Sequence, residues 1–179
     1  MNLLIGDRNQ YLLRLSEEND IPAIRLLVNA AYKELADMGL NYTATYQDEE
    51  ETRRRLSQGR AFVLLDQDKI IATILFKKEN KFTNRNTAYL GQLAIQPELK
   101  RLKIGTLLMN FCEGLATNEG FDGIQLDTAK PATHLVSWYQ RRGYQIVGET
   151  RWEGKTYESW IFEKPLTAKK SERPSMPAL

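Results

Sequence analysis

Apolar and polar positions follow two periods along this chain, and the pattern predicts seven strands and four helices. Apolar and β-branched runs bounded by turn residues indicate strands, and apolar positions three and four apart indicate helices. The predicted strands lie at 11–15, 61–66, 69–78, 84–97, 121–129, 144–152 and 155–164. The predicted helices lie at 20–39, 48–59, 131–143 and from Ile104 onward.

Residues that flank or line the helices support these assignments. Asp20 and Pro22 stand at the start of the first helix and Gly39 at its end, where such residues favour helix entry and termination. Cys112 lies on the apolar stripe of a later helix, which indicates a core residue rather than a nucleophile. That stripe is typical of a helix packed on a sheet and consists of Ile104, Leu107, Leu108, Phe111, Cys112 and Leu115.

The order of the elements predicts the fold class. An antiparallel meander is followed by a β-α-β crossover and a final hairpin. We therefore expect an α/β (α+β) fold whose mixed sheet carries helices on its faces. The length of 179 residues suits one domain, which we assign to 1–165. The segment 166–179 contains Pro and Ser without periodicity and is predicted to be a disordered tail.

Charge and composition exclude several function classes. The chain has 25 basic and 23 acidic residues, and because 3 and 1 of these lie in 166–179, 22 of each remain in 1–165. Nucleic-acid binding requires a broad basic face, so it is not expected. No apolar run approaches the roughly 20 residues of a membrane helix and no signal peptide is recognisable, so we expect a cytoplasmic protein without membrane association. A single cysteine excludes an internal disulfide and argues against a metal cluster.

The stretch LAIQPELKRLKIGTLL, residues 93–108, is a candidate anion site. A strand ends at Pro97, three cations follow at Lys100, Arg101 and Lys103, and a helix begins beside Gly105. A helix N-terminus carries unpaired N–H groups and a partial positive charge, and a glycine lets a ligand approach the backbone. The stretch is therefore suited to a diphosphate, although a solvated charge run before a helix gives the same pattern.

These residues resemble the GNAT acyltransferase family. In that family a strand ends in LAV-x-P and is followed by Q/R-x-x-G-x-G/A and a helix, and here LAIQP is followed by residues 100–105. The family's Y-x-x-x-G-F/Y segment is matched by residues 139–144, and the element order agrees from residue 11 to about 164. Lys103 replaces the first motif glycine, and Ala132 and Thr133 stand where many relatives carry an asparagine.

The resemblance implies an N-acetyltransferase that binds acetyl-CoA as acyl donor, uses no metal, and transfers the acetyl group to an amine by direct attack in a ternary complex. The diphosphate would rest on backbone N–H groups of residues 101–106. The residues implied in acetyl-CoA binding are Leu93, Ala94, Ile95, Lys100, Arg101, Leu102, Lys103, Ile104, Gly105 and Thr106.

Two residues are implied in catalysis. The N–H of Leu93 would stabilise the charge that develops on the thioester oxygen, and Tyr139 would protonate the departing thiolate. Tyr139 alternatively serves only to pack with Trp138. Gly91, in mid-strand, is consistent either with a bulge that separates two strands or with side-chain crowding.

The general base stays open at this level. Some relatives carry a glutamate at the position of Tyr89, and no carboxylate lies between Thr87 and Gln96. The proton acceptor is a water chain, His134, Asp127 or no protein group at all if the amine arrives partly neutral. His134 otherwise suits a partly exposed surface position, and Asp127 suits a turn cap.

The expected acceptor is a small-molecule amine, and the expected assembly is a monomer or homodimer. The loop at residues 39–51 should wall the acceptor side, where Tyr42, Tyr46 and the acidic residues would suit a cationic molecule or only a solvated loop. A peptide or protein acetyltransferase with an open groove is the alternative within the class. A CoA-binding sensor without turnover is the alternative outside it.

Overall fold

The computed structural model describes residues 2–5, 9–78, 82 and 85–166, which build an eight-stranded sheet with helices on both faces. The strands are β1 (Asn2–Ile5), β2 (Asn9–Leu15), β3 (Arg60–Asp66), β4 (Lys69–Lys77), β5 (Thr87–Ile95), β6 (Gly123–Ala129), β7 (Gln145–Thr150) and β8 (Ser159–Pro165). The helices are α1 (Ile21–Asp37), α2 (Glu49–Leu56), α3 (Ile104–Asn118) and α4 (Thr133–Arg141), with 3-10 turns at Glu18–Asp20, Thr43–Thr45 and Pro97–Leu102.

The strand order is β1-β2-β3-β4-β5-β6-β8-β7, and only the β5–β6 pair is parallel. The predicted mixed sheet is thereby confirmed. The sequence analysis missed β1, because four residues without alternation carry no strand period. Backbone pairing with β2, from Asn2 opposite Leu12 to Ile5 opposite Asn9, makes this segment a strand.

The sheet is buried on both faces, and β3 shows how. Phe62 and Leu64 pack with α3 and α4, whereas the alternate residues Val63 and Leu65 pack with α1 and α2. Strands covered on both sides have continuous apolar runs instead of alternating ones, which explains the sequence AFVLLD. Cys112 of α3 is fully buried as expected, and burial raises the pKa of its thiol to about 12.

A bulge interrupts β5 at its centre. Thr73 of β4 lies opposite Ala94 and Leu75 lies opposite Gly91, so β5 contains one more residue than β4 over this interval. A bulge, one of the two interpretations of Gly91, is thus present, but the strained backbone is that of Gln92, whose φ is 49°. The parallel pairing of β5 with β6 ends at Tyr89, opposite Gln125, so the two strands are unpaired beyond the bulge.

The residue that follows β8 is hydrogen-bonded to the loop before β6. Leu166, the first residue of the predicted tail, donates its backbone N–H to the carbonyl oxygen of Asp122 at 2.9 Å, and residues 167–179 lie outside the described part. None of the helices in the described ranges combines the length and apolarity needed to cross a membrane.

Candidate functional site

The turn between β5 and α3 has an unusual backbone. The 3-10 turn Pro97–Leu102 passes into α3 through Lys103, whose φ of 59° is in the left-handed region. Lys103 therefore adopts the conformation that a glycine would adopt without strain, and its side chain is exposed. The first N–H groups of α3 have no intrahelical acceptor, so the turn presents hydrogen-bond donors beside basic side chains.

A cavity of about 820 Å³, which we call the turn cavity, opens beside this turn. The residues of the predicted binding set that line it are Leu93, Ala94, Ile95, Lys100, Arg101, Lys103, Gly105 and Thr106. Two members of the set do not line it: the side chain of Leu102 is exposed, and Ile104 is fully buried in the core. His134 lines the turn cavity from an exposed position.

The basic residues of the turn differ in their partners. Lys100 Nζ lies 2.9 Å from Glu34 Oε2 of α1, and this ion pair lowers the pKa of the Glu34 carboxyl. Arg101 and Lys103 form no ion pair with the described residues. Their charges are available to an anion in the turn cavity.

The absence of a side chain at Gly105 is required by the packing of neighbouring residues, in addition to leaving space for a ligand. A Cβ atom at this position would lie 3.0 Å from Ile95 Cδ1 and 3.4 Å from Trp138 Cζ2. The missing side chain therefore allows β5 and α4 to pack against the first turn of α3. From sequence alone, Gly105 indicates only the close approach of a ligand.

A second cavity of about 410 Å³, the α2 cavity, is lined by residues 89–93 of β5, whereas the turn cavity is lined by residues 93–95. The segment after α1, which the sequence predicts to wall the acceptor side, lines this cavity through Tyr42, Thr43 and Ala44, whereas Tyr46 is exposed and does not line it. The hydroxyl of Tyr42 accepts a hydrogen bond from the N–H of Ala129 at 2.7 Å, which attaches this wall to the end of β6.

The two cavities meet where β5 and β6 separate. Five residues line both and form what we call the junction: Tyr32, Tyr42, Leu93, Asp127 and Tyr139. Two of the predicted residues, Leu93 and Tyr139, are thus brought together with Asp127, which the sequence analysis considered only as one possible base. Tyr32 was missed, because an aromatic residue on the apolar side of a helix is indistinguishable from a core residue.

Tyr139 is held in place by aromatic packing. Its ring lies 5.0 Å from that of Trp138 and 5.7 Å from that of Phe162, between ring centroids. Burial raises the pKa of the Tyr139 hydroxyl, so it carries its proton throughout the neutral range. The hydroxyl makes no hydrogen bond to the described residues, which leaves it available to a ligand at the junction.

Asp127 is fixed by two donors. The hydroxyl of Tyr89 donates to Oδ1, and Trp152 Nε1 donates to Oδ2 at 3.0 Å. Burial, together with the nearby Asp127 charge, raises the pKa of Tyr89 well above its usual value, so Tyr89 is a hydrogen-bond donor rather than a base. The described ranges contain no group of three or more His, Cys, Asp and Glu side chains that could hold a metal ion.

Comparison with known proteins identifies the family. The model of the acetyltransferase (GNAT) family matches residues 23–144, which is more than half of the chain. The chain belongs to the GNAT acetyltransferase family. It is accordingly an N-acetyltransferase, and the family uses acetyl-CoA as acyl donor.

Two relatives of this GNAT enzyme come from Bacillus subtilis (strain 168). The S-(2-succino)cysteine N-acetyltransferase is 24% identical over 140 residues, covering 76% of this chain and 85% of the relative. The S-alkylcysteine N-acetyltransferase is 24% identical over 148 residues, covering 80% and 83%.

Solved structures show the same fold. A GNAT-family acetyltransferase from Listeria monocytogenes 4b F2365 superposes with a TM-score of 0.72 at 16% identity, covering 93% of this chain and all of that one. The ribosomal-protein-S18-alanine N-acetyltransferase from Escherichia coli gives a TM-score of 0.69 at 14% identity, covering 90% and 97%.

Proposed function

We propose that this GNAT enzyme transfers the acetyl group of acetyl-CoA to the primary amine of a small molecule, by direct attack in a ternary complex. The observation that carries the proposal is the junction. Leu93, Asp127 and Tyr139 line both cavities, so a thioester reaching the junction from the turn cavity would meet an amine from the α2 cavity. Holding two reactants at one point in this way removes much of the entropic cost of a bimolecular reaction.

The turn cavity fits the acyl donor. The first-turn N–H groups of α3 and the charges of Arg101 and Lys103 suit a diphosphate, and Lys100 adds charge at the same rim. Beyond Tyr89, β5 has no pairing to β6, so its backbone groups from Leu93 to Ile95 are suited to an extended pantetheine arm. We assign donor binding to the ten residues implied above, with Leu102 and Ile104 contributing only through their backbone.

The chemistry requires a stabilised oxyanion and a proton donor. We assign the first to the N–H of Leu93, and one such donor is typically worth about 10²–10³ in rate. We assign the second to Tyr139, because its raised pKa keeps it protonated and its hydroxyl has no other described partner. The proton would pass from the Tyr139 oxygen to the departing thiolate sulfur.

The incoming ammonium must lose a proton before it attacks, and we assign that role to Asp127. This carboxylate is at the junction, whereas the exposed His134 lines only the turn cavity. Tyr89, at the position of the missing glutamate, orients Asp127 instead of replacing it.

The two relatives that act on cysteine derivatives support a small acceptor. The test is release of CoA thiolate from acetyl-CoA with S-methylcysteine, S-(2-succino)cysteine and an alanine-terminated peptide in parallel. We expect a kcat/KM for a small amine at least about tenfold above that for the peptide. Preference for the peptide would contradict the acceptor class, and no release with any amine would contradict the transfer itself.

Donor binding is tested separately from turnover. At a ligand concentration about a hundredfold above Kd, acetyl-CoA should raise the free energy of unfolding by about 2.7 kcal/mol, a rise in Tm of roughly 5–10 °C. A nicotinamide dinucleotide serves as the control and should give a much smaller rise. No shift with acetyl-CoA would contradict the assignment of the turn cavity.

A further inference from the structure

The α2 cavity contains basic side chains that lack a carboxylate partner. Of the cations that line it, Arg54 donates twice to Glu51, at 2.7 and 2.6 Å. Lys155 donates to the carbonyl oxygen of Asn41 and to a threonine hydroxyl, both uncharged, and neither it nor Arg55 forms an ion pair within the described ranges. From its sequence, the loop at residues 39–51 is suited either to a cationic molecule or only to solvent. Although acidic residues also line the cavity, Arg55 and Lys155 offer charge to an anionic group.

Arg55 differs from its two neighbours in α2. Arg53 Nε lies 2.7 Å from Glu18 Oε1, and Arg54 is paired with Glu51 as above. Arg55 Nη1 donates instead to the amide oxygen of Gln47 at 2.9 Å. Its remaining N–H groups make no hydrogen bond to the described residues, so most of its guanidinium is unused.

The position of Arg55 is fixed from behind by a buried network. The Thr52 hydroxyl donates to the carbonyl oxygen of Asp48 at 2.6 Å, so its oxygen is left to accept from Gln47 Nε2 at 2.8 Å. The Gln47 amide nitrogen therefore faces Thr52 and its oxygen faces Arg55. Gln47 is 1% exposed, which prevents the amide from turning. The guanidinium is thus oriented without being neutralised.

Gln92 supplies a second, independent indication of a ligand. It lines the α2 cavity, is 5% exposed, and occupies the left-handed backbone position of the β5 bulge. Its Oε1 accepts weakly from Gln47 at 3.4 Å, and its Nε2 is buried without a hydrogen-bond partner among the described residues. A buried amide donor without an acceptor is unfavourable, and a ligand oxygen would satisfy it.

We propose that Arg55 and Gln92 form a carboxylate-binding subsite, so that the acceptor is an amine that also carries a carboxylate, as an amino acid does. That the bound molecule is acetylated rests on the proposed function, whereas the binding of its carboxylate by Arg55 and Gln92 does not. The planar guanidinium matches a carboxylate with two parallel hydrogen bonds. Gln92 directly precedes Leu93, so the bound carboxylate lies near the reacting thioester, and Asp127 faces the ammonium of the same zwitterion.

The experiment compares two acceptors with the wild type and three variants. S-methylcysteine carries the carboxylate, and 2-(methylthio)ethylamine is the same amine without it. Arg55→Gln should lower kcat/KM for S-methylcysteine by on the order of 10–10² and leave that for the decarboxylated amine within about twofold. Arg55→Lys, which keeps the charge but not the fork, should recover part of the loss. Arg53→Gln, two residues away on the same helix, should behave as wild type with both acceptors.

A binding measurement without acetyl-CoA separates the two proposals. Calorimetric titration of S-methylcysteine into the wild type and Arg55→Gln should show the same loss of affinity even if no acyl transfer occurs. Equal kcat/KM for the two acceptors in the wild type would overturn the subsite, as would an equal loss for both acceptors in Arg55→Gln. Melting curves check that all three variants are folded.

Discussion

Tyr89 of β5 donates a hydrogen bond through its hydroxyl to Asp127 of β6, two residues beyond the last pair that joins these strands. The bond spans the point where the sheet opens. It gives Asp127 a fixed orientation although the backbones no longer pair there. In the proposed mechanism Asp127 of β6 therefore acts as the carboxylate that β5 lacks, and Tyr89 positions it.

The first prediction concerns Asp127 as the base. Asp127→Asn keeps the size but cannot accept a proton, so kcat near pH 7 should fall by on the order of 10²–10³. Its single amide oxygen still accepts from Tyr89 or Trp152, whereas its NH2 group cannot accept from the other. The deficit should narrow as the pH is raised towards and above the pKa of the amine, because solvent then supplies the neutral nucleophile. Initial rates from about pH 7 to 10 measure this.

His134→Gln is the matched variant for the rival base. It should retain activity close to wild type across the same pH range, because His134 is exposed on the turn cavity. A deficit of Asp127→Asn that does not change with pH, or a larger one in His134→Gln, would refute the assignment.

The second prediction tests Tyr139. Tyr139→Phe keeps the ring and its packing with Trp138 and removes only the hydroxyl, which has no described partner. We expect kcat to fall by on the order of 10–10³ while the Kd for acetyl-CoA and the Tm stay near wild type. Unchanged kcat would show that the residue only packs. A large drop in Tm with weaker acetyl-CoA binding would show a structural role instead.

The third prediction concerns the backbone at Lys103. A left-handed conformation costs an L-residue about 1–2 kcal/mol, and glycine loses about 0.5–1 kcal/mol in extra chain entropy. Lys103→Gly should therefore raise the free energy of unfolding by up to about 1 kcal/mol. It also removes a charge from the turn cavity, so acetyl-CoA should bind about two- to fivefold more weakly.

Gln67→Gly is the control for this variant. Gln67 is exposed in the β3–β4 turn with a φ of 54° and lines neither cavity. This variant should show a similar increase in the free energy of unfolding, measured by urea denaturation, without any change in acetyl-CoA affinity. A lower free energy of unfolding in Lys103→Gly would contradict the backbone argument. An acetyl-CoA affinity equal to that of the wild type would contradict the role of the Lys103 charge.

The fourth prediction is a pH dependence of stability at Asp20. Arg14 donates to both oxygens of Asp20, at 2.6 and 2.9 Å, and these bonds lower the pKa of the Asp20 carboxyl. Because the Asp20 carboxyl has a lower pKa in the folded than in the unfolded state, its charge stabilises the fold at pH values above the unfolded pKa of about 3.9. That stabilisation is lost as the pH falls from this value through the folded pKa. Asp20→Asn should therefore cost about 1–2 kcal/mol near pH 7 and converge on wild type at acid pH.

Denaturation at several pH values between about 2 and 7 measures the difference. Asp37→Asn is the control, because its partner Lys33 and Asp37 itself are both exposed, and the change should stay within about 0.5 kcal/mol. A constant difference for Asp20→Asn over the whole range would show that the ion pair is not its cause.

Much of this molecule follows from local sequence. The order of elements from residue 11, the entry into α3 and the burial of Cys112 depend on periodicity and turn residues within a few positions of each other. The motif resemblance depends on the same local stretches. For these features neighbours along the chain are sufficient, and the predictions agree with the structure.

The junction and the carboxylate subsite depend on contacts that are distant in sequence. Tyr89 meets Asp127 across 38 residues and Gln47 meets Gln92 across 45. The first contact lies just beyond the end of the β5–β6 pairing, and the second involves the left-handed residue of the β5 bulge. The sequence by itself determined the elements and the basic turn before α3, because helix and strand periods and turn chemistry are local. Tertiary structure alone decided which carboxylate, phenol and guanidinium share a cavity, because strand register and the bulge determine which side chains face each other.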